Sequence, residues 1–186
     1  FKAAFPDDEA PVTFDNMAKA IGAFERKLTT PSRFDQYVEG KADALTAEEK
    51  AGLVAFMEVG CTTCHDGPLL GGRTYQKLGV YAPYADTTDV GRAEVTKNDA
   101  DKWMFKVPSL RNVAKTAPYY HDGGVADLPA AVTTMAKLQL DKTLTEAQTS
   151  AIVAFLGALT GELPTDYIQK PELPESGKKT PKPDPE

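Results

Sequence analysis

Only two cysteines occur in this chain, Cys61 and Cys64. Thr62 and Thr63 separate them, and His65 follows at once. Cys-x-x-Cys-His is the attachment pattern of a c-type haem. Each thiol can add across one vinyl group of the porphyrin, and two intervening residues bring both sulfurs to one edge of the macrocycle. His65 then lies under the iron, where a ring nitrogen can bind it. Three other readings compete. A thioredoxin-like Cys-x-x-Cys sits in a strand-to-helix context, which the flanking sequence lacks. A structural zinc site needs four ligands, so it would consume both cysteines together with His65 and the distant His121. A plain disulfide leaves His65 unexplained. Covalent haem is the reading the residues favour.

The rest of the chain reads as helices and loops. Met17, Ile21, Phe24 and Leu28 recur with helical spacing, which predicts an amphipathic helix over 12–28 with Thr13 or Asp15 as its cap. Thr30-Pro31-Ser32 predicts a second, short helix with proline in its first turn, Phe34, Tyr37 and Val38 as its apolar face and Gly40 as its stop. A helix over 45–60 runs into the cysteines, opened by the capping box Thr46-Ala47-Glu48-Glu49 and buried through Leu53, Phe56 and Met57. A helix over 145–160 repeats the design, with the box Thr145-Glu146-Ala147-Gln148, the stripe Ile152, Phe155, Leu156 and Leu159, and Gly161 and Pro164 as stops. A further helix is predicted over 128–139. Residues 66–125 are rich in Gly, Pro, Asp and Tyr and show little periodicity. A loop that long normally counts against an assignment, but loops can pack on a porphyrin instead of on each other. From Pro171 the sequence carries proline and charge without apolar periodicity and is predicted to be extended.

Bulk properties exclude other classes. The 186 residues are 41% apolar, enough for a packed core. A net charge of −6 argues against a non-specific nucleic-acid binder, which needs a basic face for phosphates. No apolar run approaches bilayer length, so no membrane span is expected. Phe1-Lys2-Ala3-Ala4 is neither an initiator methionine nor a charged-then-apolar signal. The chain is therefore expected to be processed, trimmed or a piece of something longer.

The residues leave the second axial ligand of the iron open among His121, Met17, Met57, Met104 and Met135. Met17 and Met57 fall on apolar helix faces, where methionine is usually filler, and Met57 is too near the attachment site to reach the opposite haem face. Met104 lies between Trp103 and Phe105. Met135 follows the His121-Asp122-Gly123-Gly124 turn on a predicted helix. A lone histidine beside an aspartate, as at His121, is more often hydrogen-bonded structure than a ligand.

Phe105-Lys106-Val107-Pro108-Ser109-Leu110-Arg111-Asn112-Val113, followed by Thr116-Ala117-Pro118-Tyr119-Tyr120-His121-Asp122-Gly123, resembles the bacterial dihaem cytochrome c peroxidase family, which includes the MauG-like proteins. Asp89-Val90-Gly91-Arg92 and the segment from Met135 to Leu140 resemble it too. The likeness runs from about residue 45 to 163, and residues 5–40 resemble the end of that family's N-terminal haem domain. The resemblance implies an all-α fold: a class I cytochrome c-like domain over 41–165 with long haem-packing loops, preceded by helices of a second haem domain over 1–40 and followed by a Pro-rich tail over 166–186.

It also implies a function. The family's N-terminal haem reduces hydrogen peroxide. Its C-terminal haem, of high potential with His and Met ligands, takes electrons from small donor cytochromes or copper proteins. By position His65 matches the proximal ligand and Met135 the distal one. The family binds calcium between its domains through backbone oxygens matching Thr116 and Pro118, with an Asn from the other domain. Such oxygen donors suit a hard cation. A periplasmic location and a homodimer are implied as well. Arg111 is expected to pair with a haem propionate, against the plainer alternative of a surface arginine, and His121 to lie in the haem environment. The family carries two Cys-x-x-Cys-His motifs and this chain has one, so the peroxidatic haem is expected outside it. The alternatives are a stand-alone monohaem carrier and part of a MauG-like oxidising enzyme.

Overall fold

A computed structural model describes residues 1–173 and 175–182. Contacts divide the chain into two compact units, one of Thr30–Glu162 and one joining Phe1–Thr29 to Leu163–Glu186. The first unit thus begins about ten residues before the boundary expected at 40, because the short helix Arg33–Val38 packs with it.

In the smaller unit, helix α1 spans Phe14–Glu25, and the Thr13 hydroxyl accepts from the Asn16 amide at 3.1 Å. Its buried residue is Asn16, whose amide donates to Asp8 at 2.6 Å and to the Pro11 carbonyl at 3.0 Å. The apolar stripe predicted for this helix is largely solvent-facing: Met17, Ile21, Phe24 and Leu28 are each at least 40% exposed. The ring of Tyr167 stacks on Phe24 at 5.0 Å, and its hydroxyl donates to the Phe24 carbonyl at 3.1 Å. Residues 174 and 183–186 of the predicted tail lie outside the described residues.

The larger unit is mostly helical. Helix α2 spans Arg33–Val38, α3 Ala47–Val59, α4 Ala93–Thr96, α5 Leu128–Leu140 and α6 Glu146–Ala158. Both predicted capping boxes form, Thr46 with Glu49 and Thr145 with Gln148. Such reciprocal pairs satisfy helix-end donors that have no partner within the helix. At α2 the cap is Ser32, so Pro31 lies just outside the helix rather than in its first turn. Helix α3 ends at Gly60 with φ 101°, a left-handed value that glycine adopts without a steric penalty. The chain then turns directly into Cys61.

Helices α3 and α6 cross in close contact. A Cβ at Gly52 would lie 1.9 Å from the Ala151 carbonyl oxygen, so only glycine permits this approach. The crossing seats Phe56 and Val59 of α3 against Ile152, Phe155, Leu156 and Leu159, with Leu70 and Leu110 completing the cluster. Phe155 and Leu159 are wholly buried, whereas Met57, assigned to the buried face by periodicity, is 49% exposed. The long intervening stretch contains more structure than expected. Strands β1, Tyr75–Lys77, and β2, Met104–Lys106, pair antiparallel with Gln76 opposite Phe105, and the short α4 lies between them in sequence. They form a two-stranded sheet in an otherwise helical unit. No described helix is long and apolar enough to cross a membrane.

Candidate haem site

A single-turn helix over Cys61–Thr63 carries the first cysteine out of α3. The amides of Cys64 and His65 both donate to the Cys61 carbonyl, at 3.2 and 3.0 Å. This tight turn presents Cys61, Cys64 and His65 to one cavity of about 490 Å³, a volume within the roughly 300–1,000 Å³ of sites that enclose a ligand. Helix α5 presents Leu128, Val132, Met135 and Leu140 to the same cavity, and the core side of α6 adds Ile152 and Leu156. Of the four methionines, Met135 alone lines it.

Both cysteines carry free thiols. Burial pushes the Cys61 thiol up to about 11 and also raises that of Cys64, so both remain protonated near neutral pH. A structural zinc site needs four ligands, and among the described residues no three His, Cys, Asp or Glu side chains converge as a metal site would require. Burial lowers the pKa of His65, opposed by hydrogen bonds to the Leu70 and Pro108 backbone, so the ring stays neutral. Its Nδ1 lies 3.2 Å from the Leu70 carbonyl oxygen. A carbonyl can only accept, so Nδ1 carries the proton and Nε2 keeps its lone pair for a metal. Close packing holds the ring from behind. At Gly71, with φ 125°, a Cβ would lie 2.1 Å from the Pro108 carbonyl oxygen and 3.2 Å from Nδ1 of His65.

These residues fit a c-type haem. Two thiols and a neutral imidazole occupy one wall, a thioether projects from α5, and the remaining lining is largely aliphatic and aromatic. When bound, the haem supplies a one-electron iron couple.

The other predicted residues fall in different places. His121 lines the cavity and stacks on Phe105 at 4.1 Å, with Tyr84 at 5.5 Å. The neighbouring Asp122 carboxylate accepts from the Tyr84 hydroxyl at 3.0 Å. Thr116 and Pro118 also line the cavity, and Pro118 follows Ala117 through a cis bond. Arg111 lies elsewhere. Its guanidinium is not among the cavity-lining groups. It forms a bidentate pair with Asp35, 2.7 Å at each contact, and donates to the Pro68 carbonyl. Asp35 is carried by α2, and no local spacing connects it to Arg111. Gln139, not singled out from sequence, ties α5 to the end of β1. Its Oε1 accepts from the amides of Gly79 and Val80 at 2.7 and 3.0 Å, and its Nε2 donates to the Lys77 carbonyl at 2.9 Å.

A family model described as di-haem cytochrome c peroxidase matches residues 1–43. The chain is 46% identical over 187 residues to cytochrome c551 peroxidase of Nitrosomonas europaea, covering 100% of this chain and 55% of that protein. It is likewise 46% identical over 188 residues to cytochrome c551 peroxidase of Pseudomonas aeruginosa, covering 98% of this chain and 54% of that protein. The crystal structure of a MauG-like protein associated with microbial copper homeostasis superposes with a TM-score of 0.70 at 29% identity, over 87% of this chain and 57% of that one. The chain therefore spans about half the length of the curated relatives it matches. Similarity thus runs along the whole chain to about half of each of these peroxidases, the fold is shared with a MauG-like protein, and the family model described as di-haem cytochrome c peroxidase matches the first 43 residues.

Proposed function

We propose that this chain is the electron-entry unit of a dihaem cytochrome c peroxidase, carrying one haem c on Cys61 and Cys64 with His65 and Met135 as axial ligands. The observation that carries the reading is the convergence of those four side chains on one largely apolar cavity. Cys61 and Cys64 would hold the haem through thioether links to its vinyl groups, and the bound haem would supply a one-electron couple. His65 offers Nε2 because Leu70 occupies Nδ1. Met135 offers a soft thioether, which favours the ferrous state. The apolar walls disfavour the extra charge of the ferric state in the same direction. With both axial positions taken by side chains, the unit accepts and passes electrons, and peroxide reduction belongs to a second haem domain of the same protein.

The donor in this reading is a small cytochrome c or copper protein, and the site of action is the periplasm. In the same reading the backbone oxygens of Thr116 and Pro118 would help hold a calcium ion between the haem domains, and the whole enzyme would be a homodimer. Relatives named as peroxidases at 46% identity favour peroxide reduction over MauG-like substrate oxidation.

The decisive measurement is the intact mass of the denatured protein, with its haem-to-polypeptide ratio. One covalent haem for this chain, or two for the full-length protein, is expected. Polypeptide without covalent porphyrin would overturn the proposal. Peroxide turnover with a reduced donor cytochrome then separates the peroxidase from a stand-alone carrier.

A further inference from the structure

Three consecutive carbonyls beyond the attachment motif accept hydrogen bonds, and the Leu110 amide reaches two of them, Leu69 at 3.2 Å and Leu70 at 3.3 Å. Arg111 donates to Pro68 through Nε at 3.0 Å and through a terminal nitrogen at 2.7 Å. The Ser109 hydroxyl donates to Leu69 at 2.8 Å. The third carbonyl, of Leu70, faces Nδ1 of His65 at 3.2 Å. Leu70 adopts φ 47°, a left-handed conformation that is strained for a non-glycine residue. Backbone bonds from the Leu110 and Gly72 amides hold part of this loop, and the Pro68 carbonyl takes its hydrogen bonds from a side chain.

That side chain, of Arg111, is only 17% exposed. Both carboxylate oxygens of Asp35 and the Ser32 hydroxyl accept from it, at 2.7, 2.7 and 3.1 Å. The cap of α2 thus fixes the guanidinium, and the guanidinium fixes the first carbonyl of the loop. A planar fork can serve a carboxylate and a carbonyl at once, which an ammonium does poorly.

We infer that Arg111, anchored by Asp35, is a positioning residue for His65: it holds the Pro68–Leu70 carbonyls so that Leu70 accepts the Nδ1 proton and keeps the ring basic. The inference rests on His65 as a haem ligand, as proposed above. A hydrogen bond from Nδ1–H to a carbonyl raises the basicity of the imidazole. A more basic ligand favours ferric iron. Loosening the loop weakens that bond and shifts the couple toward ferrous iron.

The test uses the full-length protein with haem attached and compares Arg111→Gln with Arg33→Gln. The latter removes the ion pair between α2 and Glu49, which does not touch the loop. Arg111→Gln should raise the ferrous-to-ferric ratio of the His/Met haem about tenfold at fixed potential, equivalent to ~59 mV for one electron. The Nδ1 proton of His65 should exchange faster with solvent. Arg33→Gln should lower stability and leave both readouts unchanged, and Arg111→Lys should shift them part way. An unchanged midpoint and exchange rate in Arg111→Gln would overturn the inference, as would an equal midpoint shift in Arg33→Gln. Should Arg111→Gln fail to mature, Arg111→Lys decides alone: a raised midpoint supports the inference and a wild-type midpoint overturns it. Wild-type protein without covalent haem is a separate result, which removes the haem reading itself.

Discussion

The Nδ1 atom of His65 lies 3.2 Å from the carbonyl oxygen of Leu70. That one contact selects the tautomer of the ring and leaves Nε2 as the atom available to a metal. It also makes the shape of the loop after the cysteines a chemical matter as well as a structural one.

Met135→His should leave the haem covalently attached, because both thioethers remain. The midpoint of that haem should fall, since imidazole lacks the ferrous preference of a thioether. Axial ligands span about 0.8 V across haem proteins, so a drop of a sizeable fraction of that range is expected in a redox titration. A midpoint equal to that of the wild type would remove Met135 from the iron.

Cys61 should react slowly in protein produced without haem. Its pKa, pushed up to about 11 by burial, leaves about one thiol in a thousand ionised at pH 8. The rate of alkylation by iodoacetamide should rise roughly tenfold per pH unit up to about pH 10. Mass mapping of the modified cysteine follows this directly, and a rate already level at pH 9 contradicts it.

Asp35 should make stability pH-dependent. Partial burial opposes its charge, but the Arg111 guanidinium and the Ser32 hydroxyl and amide outweigh this and hold its pKa at about 2, against an ordinary 3.8. A depressed carboxylate pKa stabilises the fold above the unfolded value and loses that contribution as pH falls through the folded one. Wild type should therefore exceed Asp35→Asn by up to about 2 kcal/mol above pH 4, with the gap narrowing toward pH 2. Denaturant titrations of both proteins across that window test the sign.

Two glycines of the α3–α6 region should respond oppositely to alanine. Gly52→Ala forces a Cβ onto the Ala151 carbonyl and should cost about 3 kcal/mol or more. Gly157→Ala lies within α6 with no heavy atom within 4 Å of its Cβ position and should gain roughly 0.5–1 kcal/mol. Chemical denaturation midpoints distinguish the two.

Much of the larger unit could be read from local chemistry. Capping boxes at Thr46 and Thr145 and the stripe on α6 depend on neighbours within a turn or two, so spacing along the chain suffices to locate them. The strands Tyr75–Lys77 and Met104–Lys106 escaped notice because three-residue segments carry too little alternation to register. Periodicity also overstated burial at Met57 and along α1, since an apolar stripe says which residues share a face and not what covers it.

By itself, the sequence determined where a porphyrin would be attached and which imidazole adjoins it, because two thiols and a histidine within one turn can reach the same macrocycle wherever the chain goes. Residue spacing left the second ligand open and only the resemblance pointed to Met135; the tertiary structure places Met135 at that cavity and pairs Arg111 with Asp35, 76 residues away. The reason is physical: bonding within a turn is set by covalent geometry, whereas partners distant in sequence meet only where the α3–α6 crossing and the loops around it bring them together.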